Sequence, residues 1–149
     1  MVRRDVTSPR CRTLGTNTYR FELAQFAAGG LIYSMPYLSI HTNSALGDEE
    51  QTDLLNAASK IVASHLEKPE EYVMASFVPA KHIRFAGEES PTAYLELNSI
   101  GVPDAARNPL VAALTALVAQ SCKIKTERIF VVLADIPARF WGAKGATVA

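Results

Sequence analysis

Imidazole is the usual acid-base side chain, and this sequence carries three, His41, His65 and His82. They do not recur at any shared spacing and are read as solvated or locally hydrogen-bonded residues. Cys11 and Cys122 stand far apart and form neither a CxxC nor a Cys/His cluster, so neither a disulfide framework nor a zinc site is expected. Pro36 is a less familiar group. A proline at the start of a chain has a secondary amine, which can take a proton beside a carbonyl and return it nearby. Water keeps that amine protonated, whereas an apolar pocket disfavours the ammonium and draws its pKa toward neutrality. Behind Met35 in an intact chain the same nitrogen is an amide and is not basic. Taken alone, Pro36 reads as the first residue of an edge strand.

The elements that would position these residues come in duplicate. From Met35 onward Tyr37-Leu38 returns as Tyr94-Leu95, Lys68 as Lys125 and Glu70 as Glu127, with Tyr72 opposite Ile129, all at a spacing of 57 residues. Each copy runs from an alternating strand (36–41; 93–100) through a helix-period stretch to a β-rich run (72–78; 128–134). Leu54, Leu55, Ala58, Ile61, Val62 and Leu66 make the apolar stripe of the first helix, and Leu110, Val111, Leu114, Leu117 and Val118 that of the second. Asp48 followed by Gln51 is the expected capping box of the first. For the second, Asn108-Pro109 and Asp104 compete as starts. The handedness rule for βαβ units then gives an α/β (α+β) fold, two βαβ repeats in one four-stranded sheet with both helices on one face. The other face, where Tyr94, Glu96 and Asn98 alternate with Leu95, Leu97 and Ser99, needs cover, so self-association is expected.

Composition bounds the partners. The chain has 149 residues, 48% of them apolar, with fifteen basic against fifteen acidic side chains. One core fits that length, and no basic field exists to hold a nucleic acid or an anionic membrane surface. No apolar run is long enough to span a bilayer. The balance is uneven along the chain: residues 1–34 carry +3 and those from Pro36 onward −3. Residues 1–34 are therefore read as an extension to a domain over 35–149. Within that extension, Glu22, Gln25 and Gly29-Gly30 interrupt what would be a signal-peptide core. An Arg-rich, acid-poor start also hints at an organelle transit peptide, and a third reading makes Met35 the translation start. Excision of Met35 would expose the Pro36 amine.

The ordered features Met35-Pro36, Thr42-Asn43, Lys68-Pro69 before Tyr72-Val73, the run Phe85 to Gly101 (FAGEESPTAYLELNSIG) and Asp135 closing the last long strand resemble the macrophage migration inhibitory factor family of the tautomerase superfamily. The resemblance covers Met35 to Ala149. It implies a homotrimer with active sites between subunits, no cofactor, and keto-enol tautomerisation of a small aromatic 2-oxo or enol acid, of the phenylpyruvate or dopachrome type. Pro36 is implied as the acid-base, Lys68 as the attraction for the substrate carboxylate, and Ile100 as a backbone N–H donor to it. Tyr72 is a candidate pocket residue from the start of the second strand.

The sequence departs from the family where the neighbouring subunit normally offers a tyrosine and an asparagine, since Phe130 and Val132 stand there. Ala143 and Val148 occupy family aromatic positions, and Trp141 is the expected replacement. The family also includes a secreted cytokine with thiol-disulfide activity, but Thr92 and Leu95 stand at its cysteine positions. A secreted cytokine and a catalytically silent trimer are the alternative functions. The expected location is cytoplasmic, or extracellular without a classical signal peptide. No sequence feature supports a receptor partner.

Overall fold

The computed structural model describes residues 35–148; the expectations for residues 1–34, including Cys11, and for Ala149 lie outside them. Strand β1 (Tyr37–Thr42), helix α1 (Asp48–Leu66), β2 (Met74–Pro79), β3 (Ala93–Ser99), α2 (Asp104–Cys122) and β4 (Ile129–Asp135) follow in order, and β5 (Gly142–Ala143) pairs with β6 (Ala146–Thr147) in a C-terminal hairpin. The sheet order is β2-β1-β3-β4. The pairs β1/β2 and β3/β4 are parallel, and β1/β3 is antiparallel. This is the expected pair of βαβ units.

Strand alternation divides the sheet. Leu38, Ile40, Leu95 and Leu97 are fully buried and cluster with Leu54, Ala58, Val62 and Leu66 of α1 and with Leu110, Leu114 and Val118 of α2. Each such leucine or valine removed from water contributes about 1.5–3 kcal/mol, which is what fixes both helices to one face. The intervening residues project the other way, and there Met74, Tyr94, Phe130 and Val132 stay 40–60% exposed.

Three local expectations are corrected. Helix α1 is capped by Gly47, whose N–H donates to Glu50 Oε2 at 2.8 Å, while Gln51 donates to the Leu46 carbonyl instead. Asp48 is thus the first helical residue rather than the cap. Helix α2 begins at Asp104, so Pro109 lies inside it and Asn108-Pro109 is not its start. Pro109 is exposed, and water can reach the carbonyl that its missing N–H leaves without a helical partner. Tyr72 ends a 3-10 turn, Glu70–Tyr72, and does not begin β2.

The repeat itself changes register. Strands β1 and β3 correspond at 57 residues, since Tyr37 pairs with Asn98 and Tyr94 with His41. Beyond the first loop the spacing is 56: the left-handed caps are Glu67 and Lys123, the 3-10 turns are Glu70–Tyr72 and Thr126–Arg128, and Met74 faces Tyr37 as Phe130 faces Tyr94. The cause is the connection from β3 to α2, residues 100–103, one residue shorter than that from β1 to α1, residues 43–47. Lys68 therefore matches Ile124, which is 3% exposed, and Lys125 matches Pro69.

Candidate functional site

The end of the sheet where β1 begins brings together Pro36, Lys68, Ser99 and Asp135. The Pro36 carbonyl accepts the Met74 N–H at 2.8 Å, which anchors the residue between β1 and β2. The pairing of Tyr37 with Asn98 sets Pro36 opposite Ser99, and alternation puts both on the helix side of the sheet with Leu38. Pro36 is less than 2% exposed and Ser99 is fully buried.

Lys68 reaches this corner from the end of α1. Glu67 takes the left-handed conformation (φ 53°), and the Lys68 N–H closes the helix on the Ala63 carbonyl at 2.9 Å. The chain thereby turns toward β3. The ammonium donates to Ser99 Oγ at 2.7 Å, to the Ile100 carbonyl at 2.8 Å and to the Gly101 carbonyl at 3.3 Å. Burial lowers the Lys68 pKa from its ordinary value, and the nearby Asp135 carboxylate partly opposes that shift.

Asp135 pairs with Ser99 across β3/β4, and its Oδ1 accepts the Gly101 N–H at 2.8 Å. The peptide unit between Ile100 and Gly101 is thus held at both ends, its carbonyl by Lys68 and its N–H by Asp135. Gly101 has φ +71°, a backbone conformation that a side chain makes costly. Ser99 and Asp135 were visible in the sequence only as parts of a family pattern. Their roles as acceptors were not, because both depend on contacts between different strands and a distant lysine.

The repeat gives the opposite end of the sheet the corresponding positions Ala93, Ile124 and Thr42 in place of Pro36, Lys68 and Ser99. Ala93, Ile124 and Thr42 are 0, 3 and 1% exposed. A core isoleucine thus fills the place of the lysine at that end.

The remaining candidates do not join this group within one chain. Tyr72 stays on its turn before β2. Phe130 pairs with Tyr94, five residues along β3 from Ser99, which is about 16 Å at the rise of a strand. Trp141 follows the 3-10 turn Ala138–Phe140 beyond β4, and its carbonyl accepts the Val148 N–H at 2.9 Å. A cleft of about 350 Å³ lined by Phe85, Glu88, Ser90, Pro91, Lys123, Lys125, Glu127 and Arg128 contains neither Pro36 nor Lys68. The histidines make local contacts: His41 Nε2 lies 3.3 Å from Ser39 Oγ, His65 Nδ1 2.8 Å from the Ile61 carbonyl, and His82 Nδ1 3.6 Å from Glu89. Among the described residues no group of three His, Cys, Asp or Glu side chains is placed to hold a metal. Nor is any helix there long and apolar enough to cross a membrane.

The family model for macrophage migration inhibitory factor matches residues 35–149. A macrophage migration inhibitory factor homologue of Brugia malayi is 34% identical over 114 residues, covering 76% of this chain and 98% of the relative. Among solved structures, the homologue from Prochlorococcus marinus has a TM-score of 0.71 and 30% identity over 76% of this chain and 99% of its own. Another, a protein inactivated by 2-oxo-3-pentynoate, has a TM-score of 0.67 and 27% identity over 75% of this chain and 95% of its own. The relatives are thus matched almost end to end by the part of the chain that carries the doubled βαβ unit, and on that ground the chain belongs to the macrophage migration inhibitory factor family of the tautomerase superfamily.

Proposed function

We propose that this protein is a keto-enol tautomerase that acts on small aromatic 2-oxo acids of the phenylpyruvate type through a free Pro36 amine, in a homotrimer with its sites between subunits. The observation that carries the reading is the corner itself: a buried Pro36 opposite Ser99, with the Lys68 ammonium fixed on that serine. An ammonium beside the base suits a substrate with a carboxylate next to its reacting carbonyl. The relative inactivated by 2-oxo-3-pentynoate supports a 2-oxo acid as the substrate class.

The proton chemistry divides between two groups. Pro36, freed as an N-terminal amine, takes the proton from the carbon beside the ketone and delivers it to the oxygen of the resulting enolate, and burial lowers its pKa by disfavouring the ammonium. Lys68 supplies the countercharge. Its three donors already have acceptors, so the incoming carboxylate replaces the longest of these contacts, the one to the Gly101 carbonyl at 3.3 Å. The Ile100 N–H is the second donor to the carboxylate.

Trimer formation is part of the reading, because the face bearing Met74, Tyr94, Phe130 and Val132 is exposed in one chain. It brings Phe130 of one subunit to the corner of the next, a distance that one chain cannot close.

The test compares two forms of the protein. A chain beginning at Pro36 has the length of the matched relatives and should run as a trimer in light scattering and tautomerise phenylpyruvate. The same chain with Met35 and the preceding residues retained should be inactive, because its proline nitrogen is an amide. Equal activity of an untrimmed chain removes Pro36 as the base, and a stable monomer at micromolar concentration removes the intersubunit site. A trimer inactive in both forms removes the tautomerase reading and leaves the silent alternative.

A further inference from the structure

Arg128 makes an unusual concentration of contacts. It ends the 3-10 turn Thr126–Arg128, two residues before Phe130. Its Nε donates to the Pro91 carbonyl and to Thr92 Oγ1, both at 3.1 Å. Its Nη2 donates to Thr92 Oγ1 at 2.8 Å and lies 3.3–3.4 Å from the carbonyls of Phe85, Glu88 and Ser90. One planar guanidinium thus gathers the whole segment from Phe85 to Thr92, which a lysine with one rotating ammonium cannot reproduce.

That segment has one aromatic product. Phe85 and Glu88 exchange backbone hydrogen bonds at 3.0 and 3.1 Å around Ala86 (φ 54°) and Gly87 (φ 80°), a tight turn. The turn presents the Phe85 ring between two partners. The Arg128 guanidinium carbon sits 5.2 Å from the ring centroid, and the Phe130 ring meets it edge to face at 4.7 Å with planes at 64°. Phe130 has 40% of its surface exposed on the open face, so without Phe85 its ring has few constraints on that side.

We infer that Arg128 and Phe85 are positioning residues for Phe130, and that they set how well the site takes a substrate with an aryl side chain. The inference rests on the intersubunit reading above, in which Phe130 walls the neighbouring subunit's pocket. A ring held at a fixed tilt offers an aryl substrate an edge or face at a defined place, whereas an alkyl substrate needs only apolar volume.

The experiment uses the chain beginning at Pro36 and measures kcat and KM for phenylpyruvate and for an aliphatic 2-oxo acid of similar size. Phe85→Leu should lower the aryl-to-alkyl ratio of kcat/KM by about 3- to 10-fold, through KM, with the aliphatic kcat and the trimer mass unchanged. Phe85→Tyr keeps the ring and should restore the ratio, its hydroxyl meeting water at a position 38% exposed. Arg128→Lys should shift the ratio in the same direction as Phe85→Leu. An unchanged ratio in Phe85→Leu, or an equal loss for both substrates, overturns the inference while the tautomerase reading stands. An inactive parent chain overturns both, and the parent measurement identifies that case.

Discussion

The Lys68 ammonium lies 2.7 Å from the hydroxyl of Ser99, tying the residue just past the end of α1 to the last residue of β3. The serine is fully buried and faces Pro36 across the strand pair, so one short hydrogen bond sets where positive charge sits relative to the proposed base. The same ammonium holds the Ile100 carbonyl, whose peptide partner, the Gly101 N–H, is held by Asp135. The corner is assembled before any substrate arrives, and preorganisation of this kind lowers the cost of binding a charged group.

Removal of the charge should act on binding before it acts on chemistry. Lys68→Ala is expected to raise KM for a carboxylate substrate roughly 10- to 100-fold, the range of a hydrogen bond to a charged group, and to change KM for the neutral ester much less. Steady-state kinetics on acid and ester check this. Equal losses for both would show that Lys68 is not the carboxylate anchor.

The lowered pKa of Lys68 gives that binding a pH limit. Carboxylate binding needs the charged form, so KM for the acid should rise as pH increases through a value below the ordinary 10.5, while KM for the ester stays flat. Asp135 raises the Lys68 pKa, and Asp135→Asn should therefore move the rise to lower pH. For stability the sign runs the other way. Between the folded pKa and 10.5 the unfolded chain binds more protons, so stability should increase with pH in that window. Denaturation midpoints of the parent and of Lys68→Met across the window measure the contribution.

Pro36→Gly retains a terminal amine but loses the rigid ring and alters the basicity. The expected result is a fall in kcat of roughly 10- to 100-fold with the trimer intact, smaller than the 10²–10⁴ span of general acid-base catalysis because an amine remains. Light scattering beside the kinetics separates lost chemistry from lost assembly.

Helix α2 offers a stability test away from the site. Pro109 is its sixth residue, exposed, and removes the N–H that would bond the Ala105 carbonyl. Pro109→Ala should raise unfolding free energy by about 1–3 kcal/mol, the helix-interior cost of proline less the entropy that proline removes from the unfolded chain. Urea denaturation would show no gain if the turn around Asp104 and Arg107, joined by a 2.7 Å ion pair, depends on the proline.

Period and repetition alone determined the layers of this protein. The apolar stripes of Leu54 to Leu66 and Leu110 to Val118, together with the alternation of Tyr94 to Ser99, specify which faces are buried, because helix and strand periods translate directly into direction. The positions of Met35-Pro36, Lys68-Pro69 and Ser99-Ile100-Gly101 were equally legible as a family pattern. What lies between those landmarks was not. A loop shorter by one residue shifts the repeat from 57 to 56, so that Lys68 corresponds to buried Ile124 rather than to Lys125, and loop geometry leaves no periodic trace. Gly47 caps α1 through a local bond to Glu50 that competes with the one Asp48 offers, and Pro109 inside α2 stands against local preference. The approach of Lys68 to Ser99 and the grip of Arg128 on Phe85 join residues more than thirty positions apart. Only the folded sheet brings such residues together, because their contacts depend on strand register and chain reversal rather than on neighbours in sequence.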